Sequence, residues 1–223
     1  MSKAHNWLTE RFDMLRRCMA EFLGTALMVG VGCGSIALGA SGAVVSISFG
    51  AAVTVAILIF QPISGAHINP AVSLAFFRSG HLEKEAVIPY IISQLSGALF
   101  AAFWLDGVGP TSVAEDVSIV SASMIEVFIT FALMASIYWI VMRSKTHVSI
   151  AVFVGFVVAI LAYFFGPLTG ASMNPARTFG PNIIAEMSSS ILFYSFMTIC
   201  GAWIAAEIFV RLKLDERVDA TQD

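Results

Sequence analysis

The segment Ile63-Ser-Gly-Ala-His-Ile-Asn-Pro-Ala-Val-Ser73 returns 105 residues later as Leu168-Thr-Gly-Ala-Ser-Met-Asn-Pro-Ala-Arg-Thr178. Asn is a strong helix N-cap and Pro is favoured at the first helical position. Asn69-Pro70-Ala71 and Asn174-Pro175-Ala176 therefore each read as the start of a helix. The apolar stretch beginning at each box, about 69–78 and 174–185, is roughly half of the ~20 residues that cross a bilayer. The residues just before each box leave no room for regular helix. Unwound backbone at membrane depth survives only when buried in protein or lining a water-filled cavity. The carbonyls of Gly65, Ala66 and His67, and of Gly170, Ser172 and Met173, are thus expected as a ladder of acceptors along a pore wall.

Working outward, the same offset carries Pro62 onto Pro167 and Glu21-Phe-Leu-Gly-Thr25 onto Glu126-Val-Phe-Ile-Thr130. Separated segments sharing one offset mark a duplicated unit. Six stretches are apolar and long enough to span: about 18–40, 43–61, 86–105, 121–142, 148–165 and 190–211. The expected organisation is a cytoplasmic N-terminal segment, 1–17, then one channel domain, 18–211, then a cytoplasmic tail, 212–223. The domain divides into repeats at about 18–105 and 121–211. Each repeat holds three spans, an odd number, so the second inserts upside down. An inverted repeat places its functional site near the midplane, where the halves meet. The fold class expected is all-α: six transmembrane helices plus two half-helices.

Composition agrees. The chain has 223 residues, 58% hydrophobic and 12% charged; its mean hydropathy is +0.85. Soluble domains carry about 25% charged residues. Of the 12 Lys and Arg residues, 11 fall before span one, between spans two and three, between spans four and five, or after span six. Those positions share one side, which the positive-inside rule makes cytoplasmic, with both termini there. Only Arg177 breaks the pattern. No basic run suggests nucleic acid. Cys18, Cys33 and Cys200 form neither a disulfide framework nor a metal spacing, and read as small buried hydrophobes. The apolar stretch after Arg16 and Arg17 is too long for a cleavable signal peptide and reads as the first span. No nucleophile–base grouping or phosphate loop points to an enzyme, and no metal or cofactor is expected.

The inverted repeat aims the two half-helices at each other. Each N-terminus carries roughly half a positive charge from the helix dipole, so the pair repels cations. The oxygen of each Asn carboxamide can cap its helix while the NH2 donates into the lumen. A water there turns its oxygen toward both amides, which disfavours a continuous proton wire.

Ile63-Ser-Gly-Ala-His-Ile-Asn-Pro-Ala-Val and Gly166-Pro-Leu-Thr-Gly-Ala-Ser-Met-Asn-Pro-Ala-Arg resemble the two signature loops of the aquaporin (major intrinsic protein) family, over about residues 18–211. The resemblance implies a homotetramer with one pore per subunit, in the cell (inner) membrane. It implies passive conduction of water and small neutral solutes without a cofactor. It also implies a narrow filter built from Phe49, Ala162, Ala171 and Arg177. Strict water channels of the family carry His where Ala162 stands. Glycerol-conducting relatives lack that His but carry Asp after the filter Arg, where this chain has Thr178. Water is the expected main cargo, with glycerol, urea or hydrogen peroxide as additional cargo. The alternatives are a facilitator mainly for glycerol or metalloid acids, an ion-coupled transporter of inverted-repeat design, and a membrane scaffold.

Glu21 and Glu126 are carboxylates within apolar spans at matched positions. Each needs donors, because an unpaired buried carboxylate is costly. The resemblance makes them structural braces of the unwound loops; a proton relay is the sharper alternative. His67 could donate into the pore or brace its loop, and bracing is the favoured reading.

Overall fold

The computed structural model describes residues 3–144 and 146–212, with side chains from residue 10 onward. The expected cytoplasmic tail beyond 212, and Lys145, Lys213 and Arg217 among the topology-setting charges, lie outside the described residues. The described residues are all-α. Six long helices are α1 (Lys3–Ala37), α2 (Gly42–Ser64), α4 (Lys84–Trp104), α5 (Ile119–Arg143), α6 (His147–Thr169) and α8 (Ile191–Arg211). Two short ones follow the boxes, α3 (Pro70–Arg78) and α7 (Pro175–Ile184). A single 3-10 turn, Ser188–Ser190, precedes α8. Among the described residues, six helices are long and apolar enough to cross a membrane.

Two boundaries differ from expectation. The sequence places the ends of α2 and α6 at the residue before each proline region, yet both helices continue through Pro62 and Pro167 to Ser64 and Thr169. Each proline sits in its helix's last turns, where losing one N–H costs little. The stop comes from left-handed glycines instead: Gly65 at φ 88° and Gly170 at φ 75°. At the other end, α1 begins at Lys3 rather than at the first apolar residue, because 3–17 contains neither Gly nor Pro to break it.

Packing follows the repeat. α1 packs on α2 and α4 as α5 packs on α6 and α8. The half-helices exchange partners: α3 lies against α8 of the second repeat and α7 against α4 of the first. α2 and α6 face each other across the molecule. Close approaches rest on glycine. A Cβ at Gly97 would run into the carbonyl oxygen of Phe22, and one at Gly201 into that of Val127. Small residues let backbones meet this way when no hydrophobic effect drives helices together in lipid.

These contacts reveal a register the sequence concealed. Phe22 and Val127 differ by the repeat offset of 105, whereas Gly97 and Gly201 differ by 104. Tyr90 and Tyr194 obey the shorter offset too. Each donates its phenol to the carbonyl ending the preceding span, Tyr90 to Ser64 at 2.7 Å and Tyr194 to Thr169 at 2.7 Å. Outward faces of the spans are apolar, with Leu23, Ile47, Ile92, Phe128, Phe156 and Phe196 all exposed. Such faces suit lipid.

Gly97→Ala and Gly201→Ala should each destabilise the fold by about 1–3 kcal/mol, the usual cost of overpacking. Gly30→Ala, whose added methyl would meet Ala101 at an ordinary 3.9 Å, should not. Thermal unfolding of the detergent-solubilised variants checks the contrast.

Candidate functional site

The two unwound loops have matching backbones. Gly65, Ala66 and Ile68 stand at φ 88°, 49° and 45°; Gly170, Ala171 and Met173 stand at 75°, 41° and 52°. Four of these six are non-glycine residues in left-handed conformation, each a local cost that the surroundings must over-determine. Asn69 then caps α3, its Oδ1 accepting from Ala71 N at 2.9 Å. Asn174 caps α7 in the same way, from Ala176 N at 2.9 Å.

The surroundings that hold these loops are two buried carboxylates. Glu21 Oε1 accepts from Ser64 Oγ (2.6 Å) and His67 N (2.9 Å). Its Oε2 accepts from Ile68 N (2.6 Å) and Gln94 Nε2 (2.8 Å). Glu126 Oε1 accepts from Thr169 Oγ1 (2.7 Å) and Ser172 N (3.0 Å), and its Oε2 from Met173 N (3.2 Å). Both side chains are fully buried. Backbone N–H groups can only donate, so these bonds require acceptor oxygens. Four donors saturate Glu21, which leaves it no lone pair for relaying a proton.

Between the loops the asparagines do something the sequence did not disclose. Asn69 Nδ2 donates to the Met173 carbonyl at 2.8 Å, and Asn174 Nδ2 donates to the Ile68 carbonyl at 2.9 Å. Each amide therefore spends one N–H crossing to the opposite loop, rather than offering both to the lumen, and Asn174 Nδ2 also makes a long, weak contact with Met28 Sδ at 3.7 Å. The Met173 carbonyl, expected as a free acceptor on the wall, is the receiver of one such bond. The pair of bonds ties the repeats together at the half-helix ends.

One cavity of about 840 Å³ passes this junction. It is lined along α2 by Gly42, Ser46, Phe49, Val53, Ile57 and Gln61, and along α6 by Ile150, Val154, Val158, Ala162 and Gly166. Those intervals of three or four residues keep one stripe of each helix on the wall. From Gly42 to Gln61 the stripe rises roughly 28 Å, close to the hydrocarbon thickness of a bilayer. The loop regions add Gly65, Ala66, His67, Ile68 and Asn69 on one side and Gly170, Ala171, Ser172, Met173, Asn174 and Arg177 on the other, and Met28 of α1, Phe76 of α3 and Leu133, Ile137 and Val141 of α5 complete the wall. All four expected filter residues, Phe49, Ala162, Ala171 and Arg177, line this same cavity. Pro70, Ala71, Pro175 and Ala176 are buried behind it, in the first turns of α3 and α7.

Arg177 is only 6% exposed and carries no carboxylate partner among the described residues' ion pairs. Its Nη1 donates to the Gly109 carbonyl at 2.7 Å, and its guanidinium lies 5.0 Å from the centre of the Phe49 ring. The charge is thus held by a carbonyl dipole and an aromatic face. Gly109 belongs to the α4–α5 linker, at φ 80°, wedged against Ile36 and Cys33. The linker is stitched to α7 and to the end of α6 as well. Thr111 N donates to Asn182 Oδ1 (2.9 Å), Asn182 Nδ2 returns a bond to Thr111 O (2.9 Å), and Ala114 N donates to Leu168 O (3.0 Å). Thr178 Oγ1 sits 2.8 Å from Thr111 Oγ1 and 2.7 Å from Ser172 Oγ.

Sequence reasoning missed Gly109, Thr111, Asn182, Gln94 and Ser73. Gln94 and Asn182 carried a signal, being amides inside apolar stretches. Gly109 carried none, since it acts through a carbonyl that every residue possesses.

Glu21→Gln and Glu126→Gln should both destabilise the fold, and unequally. A glutamine amide nitrogen at either Glu21 oxygen position must face two donors. At Glu126 it can take the Oε2 place and displace only Met173 N. With ~1–3 kcal/mol for each buried polar group left unpaired, Glu21→Gln should lower the melting temperature more than Glu126→Gln does.

Comparison with known proteins places this architecture. The family model described as major intrinsic protein matches residues 8–209. Aquaporin AqpM of Methanothermobacter marburgensis is 33% identical over 204 residues, covering 76% of this chain and 83% of the relative. The glycerol uptake facilitator protein of Escherichia coli K12 is 34% identical over 212 residues, covering 77% of this chain and 74% of that protein. The X-ray structure of the aquaglyceroporin from Plasmodium falciparum superposes with a TM-score of 0.83 at 22% identity, over 93% of this chain and 99% of that one, which establishes the shared fold. With its duplicated boxes, six spans and matched length, the chain belongs to the major intrinsic protein family.

Proposed function

We propose that the chain is a passive transmembrane channel for water and small uncharged solutes, glycerol and urea among them. The observation that carries this reading is the cavity itself: a membrane-length passage lined by one stripe each of α2 and α6 and by two unwound loops. A neutral solute finds acceptors on the loop carbonyls and donors on the Asn69, Asn174 and Arg177 side chains. Relatives of both named kinds, aquaporin and glycerol uptake facilitator, support this range of cargo.

Charge exclusion follows from the same groups. Arg177 places a fixed cation in the wall, and the α3 and α7 N-termini add their dipoles at the crossed Asn bonds. An ion-coupled transporter needs a titratable or ion-binding group that changes state during the cycle. Of the two buried carboxylates, Glu21 has every acceptor position filled and Glu126 is fixed by three donors from its loop region. The resemblance and the one-sided distribution of basic residues support a homotetramer in the cell (inner) membrane with both termini cytoplasmic. A domain spanning about 18–211, with cytoplasmic flanks, completes the proposal.

Filter width sets the cargo. Ala162 leaves only a methyl group on the α6 wall where a ring would narrow the lumen and add a donor. A three-carbon polyol needs that room and an apolar face for its CH groups.

Stopped-flow light scattering of proteoliposomes is the test. Native vesicles should pass water and also glycerol or urea above the lipid background, without any ion gradient. Ala162→His should suppress glycerol about tenfold more than water, the size expected from losing one or two compatible hydrogen bonds at ~0.5–1.5 kcal/mol each. Glycerol flux at the lipid background in native vesicles would make the channel a strict water pore. Arg177→Val should admit a proton or cation leak, read with a pH-sensitive dye, while water flux persists. An unchanged leak would move charge exclusion away from Arg177.

A further inference from the structure

The half of the pore bordered by the first loop contains a hydrogen-bond relay with a determinate direction. Glu21 can only accept, because backbone N–H groups from His67 and Ile68 already point at its oxygens. Gln94 must therefore turn its NH2 toward it, and the Nε2–Oε2 distance is 2.8 Å. That same nitrogen lies 2.9 Å from Ser73 Oγ, so its second N–H is given to the hydroxyl. The orientation is enforced at a visible penalty: Gln94 Oε1 is buried without any hydrogen-bond partner. Reversing the amide would free that oxygen only by pressing it against the Glu21 carboxylate, with no proton between them.

Ser73 Oγ, having accepted from Gln94, has its own proton to place. His67 Nδ1 lies 3.1 Å away. The hydroxyl donates there, so Nδ1 is the unprotonated nitrogen of the ring. A neutral imidazole then carries its hydrogen on Nε2. The ring is confined, tilted by 30° against Phe76 at 4.8 Å and edge-on to Tyr90 at 5.4 Å. His67 lines the cavity, and Nε2 is neither hydrogen-bonded to protein nor sealed from solvent. The matched position in the second loop holds Ser172, whose hydroxyl bonds to the Asn174 carbonyl at 3.1 Å. The donor therefore exists in one half only.

We infer that His67 is a specificity-determining residue of the channel, presenting a fixed Nε2–H donor to the oxygen of a passing water or hydroxyl solute, and that Gln94 and Ser73 are positioning residues that lock its tautomer. The role in solute passage rests on the channel reading above; the tautomer does not. A solute oxygen then meets donors at three levels: Arg177, the paired asparagine amides, and His67. The loop carbonyls answer its hydrogens throughout.

The experiment is solid-state NMR of protein labelled with 15N-histidine in lipid vesicles at pH 7.5, with His67 assigned by difference against His67→Asn. The expected result is one protonated Nε2 resonance and one unprotonated Nδ1 resonance. A native spectrum showing protonated Nδ1, either as the other tautomer or as imidazolium, overturns the inference. Ser73→Ala should give a mixture of tautomers and shift the glycerol-to-water permeability ratio by about two- to tenfold, the range of one hydrogen bond. A mixed tautomer with an unchanged ratio overturns the specificity role. Native vesicles with no solute flux overturn the channel reading instead, and the resonances still decide the tautomer.

Discussion

A carboxylate accepting backbone N–H groups from a loop that has no secondary structure is the interaction on which this molecule depends. At membrane depth an unwound strand cannot borrow water for its N–H groups, and left-handed Ala66, Ile68, Ala171 and Met173 add local strain. Glu21 and Glu126 answer both problems at once. Their bonds to residues 67–68 and 172–173 supply the missing acceptors and fix the backbone in its improbable shape. With the N–H groups turned back to the carboxylates, the loops can contribute to the cavity wall. The half-helices then begin at the right place for their asparagines to reach across.

That dependence explains the economy of polar residues in so apolar a chain. Most buried polar side chains belong to one of two clusters, one behind each loop. Around the first stand Glu21, Ser64, His67, Ser73, Tyr90 and Gln94; around the second, Thr111, Glu126, Thr169, Ser172, Thr178 and Asn182. The clusters begin from one template and diverge. The first takes an amide from α4 to complete its carboxylate. The second does without it and recruits the inter-repeat linker to hold Arg177.

How much of this the sequence disclosed follows from what each residue contributes. Asn69, Asn174, Glu21, Glu126 and Arg177 stood out because polar side chains are expensive in apolar surroundings and must have a reason to be there. The six spans and two half-helices were legible from length and hydropathy. Hidden were features carried by backbone atoms or by small differences of register. The Gly109 carbonyl has no signature, and the crossing asparagine bonds depend on how two distant loops meet. The 104-residue register of the third spans shows only once Gly97 and Gly201 are seen lying on Phe22 and Val127. The helices run on to Ser64 and Thr169, past the spans expected to end near 61 and 165, because the stop is a left-handed glycine that no hydropathy pattern marks.

The linker stitched to the second half-helix has a consequence for direction. Two identical three-span units associating as a symmetric pair would have two identical mouths. Fusing them end to end creates one segment that can lie over one mouth only, and here it lies where its Gly109 carbonyl holds the Arg177 charge. With Arg177 and Phe49 as the proposed filter, the resistance to a solute is lopsided, gathered near one face of the membrane. Lopsided resistance is still not a valve. With no moving part and no energy source, microscopic reversibility makes the two one-way fluxes equal whenever the two sides are at equal activity. What the asymmetry does decide, on the proposed filter, is reach: a molecule too large to pass Arg177 and Phe49 can occupy most of the passage from the far side and almost none of it from theirs.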